Sequence, residues 1–183
     1  MKKVFIVHGL EGSPNGGWRP WLMAELEKLD IYACALPMPH PEYPSVAGWL
    51  DEIERHVRIN EDDEIYLVGH SLGVPSILLF LESSEVKIKG AVLVSGPLEL
   101  TNNEKVNPFL ENGFDFDKIK SHTKKFAVIH GDDDPLVPLS DAKNLASNLN
   151  CHLEIIPNGG HLNGSSGWTS LPEVLTLLVN MME

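Results

Sequence analysis

The sequence predicts an α/β protein, a three-layer α/β/α sandwich around a parallel sheet, and three observations carry that expectation. Short, β-branched apolar runs alternate with amphipathic segments from one end of the chain to the other, the pattern of strands joined by crossover helices that cover both faces of a sheet. Neither an internal repeat nor a linker interrupts the alternation, and 183 residues suit one domain with one core. Hydrophobic residues make up 43% and charged residues 22%, a globular composition and not a disordered or membrane one.

The elements follow in order. Lys3 to Val7 is the first strand: its apolar run stops at His8-Gly9, too early for the core of a signal peptide. Trp18 to Leu29 is the first helix, and Ile31 to Leu36 the second strand. Ser45 to Ile59 is a helix with Ser45 as its N-cap, since a serine hydroxyl can accept a hydrogen bond from an otherwise unpaired first-turn amide. The third strand, Glu64 to Val68, runs almost directly into the helix Leu72 to Leu81, and Gly90 to Val94 is the fourth strand. Gly96 to Asp117, with Asn102-Asn103 and Asn112-Gly113, reads as irregular and short for a lid. Phe126 to His130, the helix Ser140 to Leu149, the strand His152 to Ile156 and the helix Leu171 to Met182 complete the chain, with Ser140 and Ser170 as expected N-caps.

Charge narrows the partners. With 26 acidic against 14 basic side chains the net charge is -12, which opposes binding to nucleic acid or anionic lipid. No stretch approaches the ~20 apolar residues of a membrane-spanning helix. Cys34 and Cys151 fall in expected strands without CxxC or metal-ligand spacing, so they read as buried free thiols, and the protein as cytoplasmic.

The chemistry concentrates where the third strand meets the third helix. Gly69-His70-Ser71-Leu72-Gly73 spells G-x-S-x-G in the strand–turn–helix context that the pattern requires of a nucleophilic serine. The turn strains the serine backbone, and the chain passes so close on either side that glycine is wanted two positions before and after it. A serine hydroxyl is a poor nucleophile at neutral pH and needs a base, with a carboxylate to fix the base in its useful tautomer. Both belong beyond the carboxyl ends of parallel strands, where the loops converge. Asp132-Asp133-Asp134 follows the fifth strand and His161, behind Gly159-Gly160, follows the sixth, giving the chain order Ser, Asp, His. Spacing alone leaves open which aspartate is the acid. His70, between Gly69 and Ser71, and His40 read as packing and loop residues.

On these motifs the chain resembles the α/β-hydrolase superfamily, and within it the small, lidless serine hydrolases typified by retinoblastoma-binding protein 9 and the bacterial YdeN-like proteins. The matching pieces are Val7-His8-Gly9, Trp18-Arg19-Pro20-Trp21-Leu22, Gly69 to Gly73, Gly131 to Pro138 and Gly159-Gly160-His161, and the likeness covers essentially the whole chain. It implies a trimmed α/β-hydrolase fold, six parallel strands in the order 2-1-3-4-5-6. The family places its acid three residues ahead of a Val-Pro pair, which selects Asp134 as the partner of Ser71 and His161. It also implies an oxyanion hole made by the backbone N–H groups of Leu72, after the nucleophile, and Leu10, in the H-G-x loop. The implied activity is hydrolysis of small carboxylic esters, thioesters or amides through an acyl-enzyme, without cofactor or metal. The L-x-C-x-E pattern is not spelled, because Leu149 to Glu154 has one residue too many, so no pocket-protein partner is carried over.

Trp18 and Trp168, beside Gly16-Gly17 and Gly167, are candidates for the wall of the substrate pocket, with core packing as their ordinary alternative. Gly9, Gly12 and Gly16-Gly17 spell neither G-x-G-x-x-G nor the phosphate loop with its lysine, which argues against a nucleotide site. No His, Cys or carboxylate cluster has metal-ligand spacing. The rival to an enzyme is an interaction module that keeps the fold without the chemistry.

Overall fold

The computed structural model describes residues 1–57 and 62–183. Its strands are β1 (Lys2–Val7), β2 (Tyr32–Ala35), β3 (Glu64–His70), β4 (Gly90–Val94), β5 (Phe126–Gly131) and β6 (His152–Ile156). They form one parallel sheet in the order β2-β1-β3-β4-β5-β6, as expected. The helices are α1 (Arg19–Glu27), α2 (Val46–Val57), α3 (Gly73–Ser83), α4 (Phe116–Lys120), α5 (Leu139–Leu149) and α6 (Pro172–Met182). Positions 58 and 59 of the expected second helix lie outside the described residues.

Alternation along each central strand divides the core. Val4 and Ile6 of β1, Tyr66 and Val68 of β3, Val92 and Val94 of β4 and Ala127 and Ile129 of β5 pack with Trp18, Leu22 and Leu26 and with Val174 and Leu178, the apolar stripes at the start of α1 and on α6. Phe5, Val7, Ile65, Leu67, Ala91, Leu93, Phe126 and Val128 leave the opposite face and meet α2, α3 and α5 through residues such as Trp49, Ile53, Leu78 and Leu145. The central strands β1, β3, β4 and β5 are covered on both faces, which is why they read as apolar runs, whereas the edge strands β2 and β6 keep exposed residues.

Helix ends account for most departures from expectation. Ser45 caps α2 as expected, accepting from the Gly48 N–H at 3.2 Å. Ser140 is no cap: α5 starts at Leu139, behind Pro138 in an extended conformation, so the serine falls inside the first turn. Ser170 is likewise displaced, because Pro172 at the first helical position restricts the residue before it to extended geometry and makes Leu171 the N-cap. α4 arises inside what read as an irregular stretch and beyond it. At five residues it is too short to show a helical period, and it is held by Asp115, whose side chain accepts from the Lys118 N–H at 3.0 Å. Cys34 lies in β2, whereas Cys151 precedes β6; both are free and half-buried, not fully buried as expected.

β1 is flanked by β2 on one side and β3 on the other, so the connections leaving β1 and β3 run to opposite faces of the sheet and a crevice opens beyond their carboxyl ends. Ser71 stands at that edge.

Candidate active site

Ser71 opens the two-residue turn Ser71-Leu72 between β3 and α3 with φ of 54°, in the left-handed region that strains a residue with a side chain. Its N–H donates to the Val94 carbonyl at 2.9 Å, which ties the turn to β4. The two flanking glycines are required by close approach. A Cβ on Gly69 would lie 2.9 Å from the Gly73 carbonyl, and one on Gly73 would collide with the Val7 carbonyl at the end of β1.

Ser71, His161 and Asp134 are brought together. Ser71 Oγ lies 3.0 Å from His161 Nε2, and His161 Nδ1 lies 2.8 Å from Asp134 Oδ2. The other oxygen of Asp134, Oδ1, accepts from the Leu136 and Val137 amides at 2.9 and 3.1 Å. Burial pushes the Asp134 carboxyl up, but the hydrogen bond and charge of His161 and the two amides outweigh it and hold the carboxyl below the usual carboxylate range. An ionised carboxylate can only accept, so Nδ1 of His161 carries the proton and donates, leaving Nε2 free to accept from the Ser71 hydroxyl. This is the tautomer in which an imidazole can take a serine proton.

The loop bearing His161 is fastened from several sides. Asp132 Oδ1 accepts from the Asn158 N–H at 2.8 Å and Asp133 Oδ1 from the Gly160 N–H at 2.7 Å, so the three consecutive aspartates bind three successive points of one loop. His70 Nε2–H donates to the His161 carbonyl at 2.9 Å. The tryptophans expected to line the pocket fasten the same loop instead. Trp18 is fully buried, packs edge-on against His70 and donates its indole N–H to the Leu162 carbonyl at 2.8 Å. Trp168 donates to the Gly159 carbonyl at 2.7 Å. Neither borders the cleft. An indole N–H must find an acceptor when buried, and the turn carbonyls of this loop supply one to each. Sequence spacing held no sign of these contacts, since Trp18 and Leu162 are 144 positions apart.

Burial pulls the His70 imidazole down to about 3, helped by the charge of His161. The folded chain therefore keeps His70 neutral at pH values where the unfolded chain protonates it, and below about 6.5 the unfolded state binds more protons. Stability should fall as pH drops from 6.5 toward 3, by about 3 kcal/mol at pH 4 from this residue alone. His8, also held low, first by burial, adds to the slope in the same direction. Melting temperatures measured across this window should decline with acid, and His70→Gln, which keeps an N–H donor but does not titrate, should flatten the decline. An unchanged slope in His70→Gln would rule out His70 as its source.

A cleft of about 1250 Å³ opens beside Ser71 and His161. Leu10 borders it, in the loop after β1, and a Cβ on the preceding Gly9 would lie 2.9 Å from Ser71 Cβ, so that loop passes directly over the serine. Leu72 is buried at the start of α3. Among the described residues neither the Leu10 nor the Leu72 N–H is committed to an internal acceptor. The segment after β4 forms the facing wall. Asp141 Oδ2 holds it by accepting from the Leu98 and Glu99 amides at 2.8 and 3.2 Å, and Asn107 exchanges hydrogen bonds with Thr101.

A profile of the serine hydrolase family matches residues 4–180. The chain belongs to the serine hydrolase family. Among relatives of this serine hydrolase, YdeN of Bacillus subtilis (strain 168) is 37% identical over 182 residues, covering 98% of this chain and 95% of that protein. Serine hydrolase RBBP9 of Rattus norvegicus is 25% identical over 185 residues, with the same coverage. The crystal structure of the B. subtilis ydeN gene product superposes with a TM-score of 0.93 at 36% identity, covering 100% of this chain and 99% of that one. The protein is thus an α/β-hydrolase with hydrolytic function. Among the described residues no helix is long and apolar enough to cross a membrane.

Proposed function

We propose that this hydrolase cleaves small carboxylic esters, or the related thioesters and amides, with Ser71 as nucleophile, His161 as general base and acid, and Asp134 as the group that orients His161. The observation that carries the reading is the continuous hydrogen-bonded chain from Ser71 Oγ through both ring nitrogens of His161 to Asp134 Oδ2. In the acylation step Ser71 Oγ bonds to the carbonyl carbon as its proton passes to His161 Nε2, and the carbonyl π electrons move onto oxygen. The amides of Leu10 and Leu72 are the donors for that oxyanion, Leu72 with the added field of the α3 N-terminus. Collapse of the intermediate expels the alcohol, which takes the proton from Nε2. Water then attacks the acyl-enzyme by the same route in reverse, releasing the acid and restoring Ser71.

The cleft favours small substrates. Its facing wall is made by residues of Pro97 to Val106, and the rest of the Gly96 to Asp117 segment, with the 3-10 turn Asn107–Phe109 and the first residues of α4, lies outside the cleft and forms no separate lid over the site. Long acyl chains need an enclosed apolar channel, which an open cleft does not provide. Across a panel of p-nitrophenyl esters, kcat/KM should peak at short acyl chains and fall as they lengthen, with no jump above the critical micelle concentration. A steady rise toward long chains would replace the esterase reading with a lipase.

The acidic surface supports a small-molecule partner over nucleic acid or anionic membrane, with a net charge of -12. Two free thiols support a cytoplasmic location, Cys151 being held up at about 11 by burial and so little reactive.

A further inference from the structure

Arg19, the first residue of α1, borders the same cleft as Ser71 and His161, yet only 6% of it is exposed. Its Nε donates to the Ser13 carbonyl at 2.8 Å, which leaves the four remaining N–H groups of the guanidinium for other partners. The exposed Arg55 is paired with Glu52 at 2.9 Å, but among the described residues no carboxylate lies within 4.0 Å of Arg19. That is unexpected in a chain with 26 acidic side chains. Two acids of the cleft wall are engaged elsewhere: Glu11 faces Lys105 at 3.7 Å, and Asp141 binds the Leu98 and Glu99 amides. Gly16 makes room for the group, since any side chain there would run into a terminal guanidinium nitrogen.

Burying a guanidinium without a counter-charge costs stability, and fixed fork geometry makes arginine the side chain suited to bind a carboxylate through two parallel hydrogen bonds. Burial pulls Arg19 down only to about 10, so it remains a cation at neutral pH. We infer that Arg19 binds a free carboxylate of the substrate, so that the preferred esters carry, besides the scissile bond, a second and ionised carboxyl group. This rests on the proposed Ser71 chemistry for the position of the scissile bond. A single monoanion matches a single buried positive charge, which favours a carboxylate over a doubly charged phosphate. Glu99 and Glu104 on the cleft wall repel an incoming anion, but across solvent that repulsion is screened within about 8 Å at physiological salt, whereas the pairing with Arg19 acts at contact in a partly dry site.

Mono-p-nitrophenyl adipate places the carboxylate on the acyl side and 4-acetoxybenzoate on the alcohol side; the methyl ester of each is its neutral control. Binding is measured by calorimetry on Ser71→Ala, so that it does not depend on turnover. At least one of the two charged esters should bind the Ser71→Ala protein ten-fold or more tightly than its control, and the preference should collapse in Ser71→Ala/Arg19→Gln and return in part in Ser71→Ala/Arg19→Lys. Equal binding of charged and neutral esters, or a preference that survives Arg19→Gln, overturns the inference. Loss of affinity for charged and neutral esters alike in Arg19→Gln would also overturn it, by assigning Arg19 to holding the Ser13 loop. Turnover of the same esters by the unaltered enzyme tests the hydrolase chemistry separately: Arg19-dependent binding without turnover would reject the Ser71 mechanism and leave the carboxylate site standing.

Discussion

Ser71→Ala is expected to abolish ester hydrolysis and fluorophosphonate labelling together, with kcat falling on the order of 10⁴-fold or more. The loss follows from the geometry at the turn: Oγ lies 3.0 Å from His161 Nε2, and among the described residues no other side chain hydrogen-bonds that nitrogen. Without it the imidazole and the oxyanion donors retain only the residual acceleration that a bound substrate and a polar cleft provide. The fold should persist. The Ser71 N–H bond to Val94 is a backbone bond and survives the change, and alanine meets the same left-handed strain at φ of 54° that serine does. Circular dichroism and a melting temperature within a few degrees of the unaltered protein check that part. Full activity in a folded Ser71→Ala protein would reject Ser71 as the nucleophile, and labelling that persists would place the reactive group elsewhere. The same probe separates an enzyme from an interaction module with a silent triad, because only an activated serine is phosphonylated.

How far the sequence exposed this site depends on the range of the interaction concerned. The central strands are legible because they are covered on both faces and so are apolar along most of their length, as Ile65 to Val68 and Ala91 to Val94 are. The turn at Ser71 was legible because its steric demand falls on residues two positions away, Gly69 and Gly73, inside one short motif. The choice among Asp132, Asp133 and Asp134 was not legible from spacing, since all three carboxylates turn out to bind the loop 158–161 and only the atoms they reach differ. Family resemblance singled out Asp134, the one that reaches the His161 ring. The hydrogen bonds of Trp18, Trp168 and His70 are not legible for the opposite reason, although the packing reading of His70 and the core-packing alternative for the tryptophans agree with where they lie. Their roles are set by carbonyls of one turn, far along the chain for Trp18 and His70, and nothing local to an indole or an imidazole says which carbonyl it will meet. Arg19 is not legible as a binding residue because a single arginine at the start of a helix is ordinary until its burial, and the absence of a carboxylate beside it among the described residues, are seen.

The three aspartates also provide the sharpest test of the proposed mechanism. Asp134→Asn should lower kcat by about 10⁴-fold, whereas Asp132→Asn and Asp133→Asn should each cost no more than about ten-fold. Each aspartate uses its oxygens differently. Asp132 and Asp133 each accept from one backbone amide, at 2.8 and 2.7 Å, and an asparagine keeps a carbonyl oxygen able to accept the same bond. What is lost is the charge on the acceptor, part of the roughly 1.5–3 kcal/mol that a charged hydrogen bond contributes, spread over a loop that Trp18, Trp168 and His70 also hold. Asp134 has no such spare capacity. Its Oδ1 serves the Leu136 and Val137 amides, so the oxygen of an asparagine would be retained there and its NH₂ turned toward His161. Facing a donor, Nδ1 of His161 must give up its proton and accept, which places the remaining ring proton on Nε2, toward Ser71. In that tautomer the imidazole cannot take the serine proton, and the site is intact in shape but inert. Kinetics on the three purified variants, with melting curves to confirm folding, read the difference directly. If Asp133→Asn proved the most damaging, the carboxylate that matters would be the one on Gly160, and the role of Asp134 would reduce to shaping its own turn.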